Sequence, residues 1–239
     1  MIMSRDVLDH GFVKLIDTLG NDLSIVNAAR ISFNKRKDEF DEKDAQLLRF
    51  LAINDHTAPF RHCQLTFHVK APIFVLRQWM RYKIASDFNE ISGRYVDLGD
   101  VEYYTPEVFR KQAKINKQGS EGQVDENNLV EIKELYEDAM YGNLELYRRL
   151  LDKGVCKEQA RAVLPLGIYS EVYWTASLQS VCHFIKQRTD SHAQWEIQQY
   201  AEVVKTLMLQ HFPIGGKELL NHTGVVSTHD ELERFNPKV

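Results

Sequence analysis

The residues with the most evident chemistry lie between positions 77 and 95, where RQWMRYKIASDFNEISGRY combines arginines, an amide and a carboxylate. Arg77 and Arg81 are four residues apart, and Gln78 precedes Arg81 by three, so a helix would project all three side chains from one face. That face would be cationic, and its guanidinium groups could donate paired hydrogen bonds. Such chemistry suits a phosphate monoester.

A second polar set follows the helix. Glu90, Ser92 and Arg94 alternate with Ile91 and Gly93, so an extended strand would put the three polar side chains on one side. Glycine at position 93 would let a ligand approach the backbone. A carboxylate among cations implies that a sugar hydroxyl or a base N–H is also held, which favours a nucleotide over inorganic phosphate. A solvated helix end followed by a hairpin would explain the same residues.

Length and composition indicate one globular domain over residues 1–239. The chain is 44% hydrophobic and 27% charged, as is ordinary for a soluble protein. Its net charge of −4 argues against general binding of nucleic acid or an anionic membrane, so any basic site must be local. No apolar run approaches the roughly 18 residues of a membrane span, and the N-terminus lacks a hydrophobic signal region. A cytoplasmic location is expected.

Three thiols could act as nucleophiles: Cys63, Cys156 and Cys182. They form no CxxC pair and are odd in number, which favours a reducing compartment over a disulfide framework. We interpret each as a small buried residue, since none has the helix-start or basic setting that stabilises a thiolate. His56, His62 and His68 are evenly spaced but lack metal-ligand spacing, so no metal site is predicted.

The elements that must position the polar residues can also be predicted. Gln64–Ala71 alternates strictly and is the clearest strand, and it leads into a helix that starts at Pro72 and runs to about Lys83. Asp87–Asn89 predicts a turn. Ser191 and Gln194 form an S-x-x-Q capping box for the last long helix. Further predictions are strands at 12–16 and 168–176, helices at 22–30, 45–54, 127–151, 155–164, 177–188 and 193–210, and a mobile surface segment at 110–125.

Several long motifs resemble the flavin-dependent thymidylate synthases, the ThyX family. They are FHVKAPIFV at 67–75, RQW at 77–79, NEISGRY at 89–95, ARAVLPL at 160–166 and RTDSHAQWEIQQY at 188–200. The resemblance is strongest over 11–200 and leaves 212–239 as a C-terminal extension. The family signature is Arg-His-Arg, seven residues, then Ser. Here Arg81-Tyr82-Lys83 is followed by eight residues and then Ser92.

The resemblance implies an α+β fold, helix-rich around a central, mostly antiparallel sheet, in a homotetramer with shared active sites. It implies methylation of dUMP to dTMP, in which reduced FAD gives hydride to the uracil ring, 5,10-methylenetetrahydrofolate supplies the carbon and NADPH recharges the flavin. No side chain attacks the base. The implied nucleotide site is Gln78, Arg81, Glu90, Ile91, Ser92, Gly93, Arg94, Arg161 and Arg188. Arg188 is the implied catalytic residue, which polarises the uracil and favours ionisation at N3.

The implied flavin site departs more from the family. It comprises Ser32, His56, Ala58, Arg61, Arg81, Tyr82, Lys83, Ile84, Glu90, Ser177, Gln179 and His183. Ala58 and Arg61 replace a Thr and a Glu, and Tyr82 and Lys83 replace a His and an Arg. Ser177, Gln179 and His183 stand where the family commonly has Asn, Arg and Asn. Arg61, Lys83 and Gln179 still offer cations and an amide to a pyrophosphate, so we predict reversible, weakened FAD binding.

Two alternatives remain open from the sequence. A relative that keeps the dUMP site could modify uracil C5 differently, for example by hydroxymethylation, and the mass of the product would distinguish it. A nucleic-acid module could use the basic and aromatic residues Trp79, Arg81, Tyr82 and Lys83. The acidic total charge disfavours that module, so small-molecule substrates are the expected partners, without nucleic acid or membrane.

Overall fold

The computed structural model describes residues 3–114 and 119–222. Its strands are β1 (Met3–Val7), β2 (Gly11–Leu19), β3 (Gln64–Pro72), β4 (Ser86–Glu90), β5 (Arg110–Gln112), β6 (Ser120–Gln123) and β7 (Tyr169–Ser177). Its α-helices are α1 (Asp22–Arg30), α2 (Glu42–Ile53), α3 (Ile73–Trp79), α4 (Leu129–Asp152), α5 (Lys157–Ala160), α6 (Leu178–Arg188), α7 (Trp195–His211) and α8 (Gly215–His222). Short 3₁₀ turns lie at Ile31–Phe33, Ala58–His62, Glu126–Asn128 and Arg161–Val163.

A five-stranded sheet in the order β1-β2-β3-β7-β4 forms the centre, and each pair of neighbouring strands is antiparallel. The strict alternation of β3 explains its central position, because Leu65, Phe67 and Val69 are fully buried on one face. Phe67 pairs with Trp174 in β7, which stacks against it at 5.4 Å between ring centroids. The mixed fold with a central antiparallel sheet confirms the predicted fold class.

An aromatic core joins the sheet to the helix that carries the basic residues. Trp79, the last residue of α3, stacks on Phe184 of α6 at 4.4 Å and meets Trp174 edge-on at 5.2 Å. All three rings are fully buried. Large buried rings of this kind dominate core energetics, so they fix where α3 ends relative to β7 and α6.

The polar segment after α3 differs from its prediction. The helix ends at Trp79 instead of Lys83, because the N–H of Tyr82 turns back to the carbonyl of Trp79 and the chain then pairs with β7. Arg81 therefore lies in a turn, and the predicted common helical face of Arg77, Gln78 and Arg81 is wrong.

The predicted turn at 87–89 is also wrong. These residues form the middle of β4, whose Asp87 pairs with Thr175, so pairing with β7 overrides their local turn preference. The extended strand predicted through Arg94 is wrong as well. β4 ends at Glu90, and the N–H groups of both Tyr95 and Val96 donate to the carbonyl of Ser92, which makes a turn.

Other predictions agree to within a few residues. α1 begins with a reciprocal capping box between Asn21 and Ser24 and runs into the turn at Ile31–Phe33, as the sequence indicated. The capping box predicted at Ser191 is wrong, because α7 begins only after Gln194 and no side chain caps it. Asp190 instead accepts from the N–H of His192.

The strand β1 and the helix α8 were not predicted. β1 pairs with β2 at one sheet edge, and α8 packs its Leu219 into the core. The N–H groups of Ile214 and Gly215, at the start of α8, both donate to the carboxylate of Asp22 at 2.9 Å. A carboxylate is favoured at a helix N-terminus, although burial raises the pKa of Asp22.

Two predicted segments are only partly described. In the segment 110–125, β5 and β6 form a short hairpin on either side of residues 115–118, which lie outside the described part of the chain. The predicted extension 212–239 includes α8, and residues 223–239 lie outside the described part. None of the described helices is long and apolar enough to cross a membrane.

Candidate active site

A cleft of about 940 Å³ opens where the end of β4 and the following loop meet the start of β7 and the turn at Arg161–Val163. We call it the nucleotide cleft, after the predicted nucleotide-site residues that line it. Four of the predicted nucleotide-site residues line it: Glu90, Ile91, Gly93 and Arg161. Arg77 lines it too, although the family resemblance did not assign that residue to a site.

Hydrogen bonds from β7 hold the β4 side of the nucleotide cleft. The Ser170 hydroxyl donates to Glu90 Oε1 at 2.7 Å, and the N–H of Ile91 donates to the carbonyl of Glu171 at 3.0 Å. The Glu90 carboxylate is therefore oriented before any ligand arrives, and it still has acceptor positions for a ligand hydroxyl or N–H.

The backbone of Gly93 packs closely against two side chains. A Cβ built there would lie 2.7 Å from Leu98 Cδ1 and 3.3 Å from Arg161 Cδ. The absence of a side chain therefore lets the Arg161 stem pass directly against the backbone. This contact joins two motifs that are almost seventy residues apart in the sequence, NEISGRY and ARAVLPL.

Ser92 and Arg94 lie beside the nucleotide cleft without lining it. Arg94 Nε contacts Glu158 Oε2 at 2.9 Å, and more than half of each side chain is exposed. An exposed pair of this kind contributes little to stability, so Arg94 can exchange Glu158 for a ligand phosphate with little loss of stability.

The nucleotide cleft carries more acidic than basic side chains. Among the described residues, its lining has three cations and six carboxylates: Lys70, Arg77 and Arg161 against Glu90, Asp97, Asp100, Glu102, Glu158 and Glu171. Lys70 is already bonded to Glu102 at 2.7 Å. The lining of this cleft alone therefore does not have the positive potential that a phosphate dianion requires.

Gln78 does not line the nucleotide cleft and lies at one end of a chain of hydrogen bonds. Its Nε2 donates to Gln194 Oε1 at 2.6 Å, and Gln194 Nε2 donates to Glu196 Oε2 at 2.8 Å. Glu196 is buried and also accepts from Arg110 at 2.5 Å and from Tyr104. Because an ionised carboxylate can only accept, it orients the amide of Gln194, which in turn leaves the carbonyl oxygen of Gln78 for a ligand.

Arg188 is the C-terminal residue of α6, as predicted for a helix-to-helix joint. Its Cζ lies 5.2 Å from the centre of the Tyr82 ring. Burial raises the pKa of Tyr82, while the charge of Arg188 and a hydrogen bond from it oppose that shift. Tyr82 was predicted to belong to the flavin site, and in the structure its ring lies near both the predicted flavin residue His183 and the predicted catalytic arginine.

Several of the predicted flavin residues, namely Tyr82, Ile84, Ser177 and His183, lie around the start of α6. We call the surface that carries the predicted flavin residues the flavin face. Ser177 caps α6 through the N–H of Ser180, and its own N–H donates to the carbonyl of Ala85 at 3.0 Å. The Ser180 hydroxyl donates to the carbonyl of Ile84 at 2.5 Å, and His183 meets Tyr82 edge-on. These contacts tie the segment Lys83–Ala85 to α6.

Most of the predicted flavin residues are open to solvent. Exposed members are Ser32, His56, Ala58, Arg61, Arg81, Lys83, Ile84, Glu90 and His183, whereas Ser177 is buried. The Ile84 side chain is 88% exposed. The neighbouring residues Asn34, Asp55 and Ala85 all have left-handed backbone, at φ of 53°, 54° and 49°. For Ala85, which has no polar side chain to bond locally, the left-handed backbone conformation costs about 1–2 kcal/mol.

The thiols do not form a reactive site. Cys63 and Cys182 are buried as predicted, and burial raises the pKa of Cys63 to about 11 and that of Cys182 further still. Cys156 is exposed, contrary to the prediction. Among the described residues no group of three or more His, Cys, Asp or Glu side chains could hold a metal ion.

Sequence reasoning missed several members of the site. Gln194 and Glu196 stand within the quoted motif RTDSHAQWEIQQY, and their spacing of two residues gave no signal for a shared hydrogen bond. Arg77 was recognised as a cation but not as a lining residue. In one chain, Gln78, Arg81 and Arg188 are among the predicted nucleotide residues that do not line the nucleotide cleft.

A five-stranded antiparallel sheet flanked by helices, with a cleft at the ends of β4 and β7, is the architecture to be compared with known proteins. The family described as "Thymidylate synthase complementing protein" matches residues 14–214. A flavin-dependent thymidylate synthase of Thermus thermophilus is 48% identical over 217 residues, which are 90% of this chain and 78% of the relative. That of Thermosipho melanesiensis is 45% identical over 96% of this chain and all of the relative.

The same likeness is found among solved structures. The UMP/dUMP methylase PolB from Streptomyces cacaoi, bound with 5-Br dUMP, superposes with a TM-score of 0.80 at 30% identity, covering 93% of this chain and all of PolB. Its complex with 5-Br UMP gives a TM-score of 0.78 over 91% of this chain and 96% of PolB. This chain belongs to the flavin-dependent thymidylate synthase family.

Proposed function

We propose that this protein methylates dUMP to dTMP in the cytoplasm, with FAD as cofactor, 5,10-methylenetetrahydrofolate as carbon donor and NADPH as reductant. The observation that carries the proposal is the convergence of Glu90, Gly93 and Arg161 on the nucleotide cleft in a chain of this family. A carboxylate for N–H or hydroxyl groups, a bare backbone and a guanidinium are together suited to a nucleotide and not to a simple anion.

We further propose that the active enzyme is a homotetramer in which two chains complete each nucleotide site. Two features support this. The acidic lining of the nucleotide cleft needs added positive charge, and the cationic residues Arg81 and Arg188 lie outside that lining. A second copy that brings its Gln78, Arg81 and Arg188 to the cleft would supply both the cations and the oriented amide.

The residues of the flavin face fit FAD by their chemistry. Arg61 and Lys83 are exposed cations, Gln179 is an amide, and Ile84 exposes an apolar side chain. The cations and the amide would hold the pyrophosphate, and the apolar surface would lie against a ring. When bound, FAD supplies the hydride that completes the methyl group.

The side chains of this protein would bind and polarise the nucleotide. Glu90 would accept from a ligand hydroxyl or N–H, and Arg161 and Arg94 would bind phosphate. Arg188 would stabilise negative charge on the uracil ring, as a fixed guanidinium can in a site without bulk water. The buried, protonated thiols of Cys63 and Cys182 are unsuited to attack the base.

The direct test is product identification. Purified protein is incubated with dUMP, 5,10-methylenetetrahydrofolate, NADPH and FAD, and the nucleotide is identified by mass spectrometry. We expect dTMP, with a rate that falls when FAD is omitted. A hydroxymethyl product would replace the proposal with the C5-hydroxymethylation alternative, and an unchanged dUMP pool would reject both.

Shared sites have a test of their own. Arg161→Ala removes a cation of the nucleotide cleft, and Arg188→Ala removes a cation that lies outside the lining of that cleft. If two chains build each site, mixing and reassociating the two impaired variants creates some sites with neither defect, and part of the activity returns. Activity that stays at the level of the separate variants, in mixtures shown to exchange chains, would place each site within one chain.

A further inference from the structure

The charge of Arg188 is held without a carboxylate. Four other arginines, Arg30, Arg94, Arg110 and Arg148, each lie within ion-pair distance of Asp or Glu. Arg188 has no such partner among the described residues, and its Nε is buried without a hydrogen-bond partner there. No ion pair among the described residues therefore holds this guanidinium, and another contact is needed to position it.

The Tyr82 ring is in the position to do so. The Cζ of Arg188 lies 5.2 Å from the ring centre, within the range of a cation–π contact. The Tyr82 ring also makes T-shaped contacts with Phe184 and His183, at 5.2 Å and 5.6 Å between ring centroids. The N–H of Tyr82 also bonds to Trp79, which is fully buried. Tyr82 is thus a fixed platform and not a side chain that follows the arginine.

The type of contact matters for catalysis. A carboxylate would position a guanidinium but would also neutralise it, whereas an aromatic ring attracts the cation through its quadrupole and leaves the net charge intact. An arginine that must stabilise a developing oxyanion needs both a fixed position and an undiminished charge.

We propose that Tyr82 is the positioning residue for Arg188, holding its guanidinium with the ring face and the phenol oxygen while its charge stays available to the nucleotide. The proposal rests on the proposed function, since it takes Arg188 as the group that acts on uracil. It gives Tyr82 a role toward the nucleotide in place of the one predicted toward flavin.

The test compares two variants that keep the shape of the ring with one variant that removes the ring. Tyr82→Phe removes the phenol oxygen, ring-trifluorinated phenylalanine at position 82 also removes the negative ring face, and Tyr82→Leu removes the ring. We expect kcat to fall about threefold in Tyr82→Phe, roughly a further tenfold in the trifluorinated protein and at least as far in Tyr82→Leu. The KM for dUMP should change less than kcat.

Ring-trifluorinated phenylalanine in place of Phe109 is the matched control, because that ring packs on Tyr136 and Phe109 does not line the nucleotide cleft. It should leave kcat unchanged. A role in packing alone predicts equal kcat for Tyr82→Phe and its trifluorinated counterpart, and that result would overturn the proposal. The comparison stands even if Tyr82→Leu does not fold, because the two phenylalanine forms have nearly the same shape.

A second measurement separates this proposal from the proposed function. Guanidinium protons above an aromatic ring are shifted upfield in the NMR spectrum, so Arg188 should show such a shift in the wild type and lose it in Tyr82→Leu, which has no ring. An unshifted Arg188 in the wild type would overturn the positioning role. A wild type that shows the shift but makes no dTMP would overturn the proposed function and leave the positioning role supported.

Discussion

The nucleotide cleft and the flavin face are built in opposite ways. In the nucleotide cleft, Glu90 is fixed by Ser170 and the backbone of Gly93 lies against the Arg161 stem. On the flavin face, Arg61, Lys83 and Ile84 are exposed. The hydrogen bonds given above for that face are donated by Ser177 and Ser180 to the backbone carbonyls of Ala85 and Ile84.

The difference indicates how much each region must be ordered when its ligand binds. Groups held in place lose little conformational freedom on binding, so the contacts of the cleft can serve discrimination between ligands. The exposed long side chains of the flavin face must be ordered by the ligand or by another chain. We therefore expect nucleotide-side changes to alter turnover or KM by their geometry, and flavin-side changes to alter cofactor affinity by charge.

The largest expected effect is that of Arg188→Ala. Loss of a group that stabilises charge in the transition state lowers kcat by about a hundredfold or more. Arg94→Ala removes an exposed arginine that is already paired with Glu158 and should mainly raise the KM for dUMP. Steady-state kinetics with dUMP compares the two variants. A folded Arg188→Ala with wild-type kcat would reduce Arg188 to a cation that stabilises the end of α6 by about 0.3–1 kcal/mol.

Lys83→Ala tests the open character of the flavin face. Removing one charge-assisted contact should weaken FAD binding by roughly tenfold and leave dUMP binding nearly unchanged. Calorimetric titration of each ligand measures both affinities. Lys111→Ala, another exposed lysine, on the β5–β6 hairpin, serves as the control and should change neither. Equal loss of dUMP affinity in Lys83→Ala would show that the two regions are not separable.

Gly93→Ala tests whether the nucleotide cleft is as closely fitted as its contacts indicate. The added methyl group must displace Leu98 and move the Arg161 stem, so the KM for dUMP should rise about fivefold. Gly142→Ala is the matched control, because a Cβ at that position in α4 meets nothing within 4 Å. The control should retain its KM and gain helix stability of about 0.5–1 kcal/mol. An unchanged KM in Gly93→Ala would contradict the close fit.

Gln194→Leu tests the hydrogen-bonded chain that orients Gln78. Without Gln194 the Gln78 amide can rotate, and loss of about one net hydrogen bond should raise the KM for dUMP roughly threefold to fivefold. Gln210→Leu, near the far end of α7, provides a comparison with the same change in polarity. If both variants bind dUMP like the wild type, the orientation of Gln78 does not contribute to recognition.

The smallest effect is expected from the thiols. A variant with Cys63→Ala, Cys156→Ser and Cys182→Ala should keep its kcat, because the two buried thiols remain protonated near neutral pH and Cys156 is not among the cleft residues. Its stability should fall where sulfur is removed from the core. Thermal unfolding monitors the stability, and product formation monitors the activity. Complete loss of activity in the folded variant would mean that a thiol attacks the base after all.

Local sequence patterns were sufficient to predict elements in which side-chain polarity repeats regularly along the chain. The strict alternation of Gln64–Ala71 determined β3, because a strand must put every second side chain on the same face. The residue types at Glu90, Gly93 and Arg94 favoured a nucleotide over a simple anion, because a carboxylate stands among cations there. The family resemblance added Arg161.

Only the tertiary structure decided how these residues meet. Pairing with β7 turned a predicted turn at Asp87 into a strand and ended α3 early, because long-range hydrogen bonds outweigh weak local preferences. Packing brought Tyr82 to Arg188 across more than a hundred residues, and Gln78 to Gln194 likewise. No spacing in the sequence encodes such contacts, because they depend on where separate elements pack against each other.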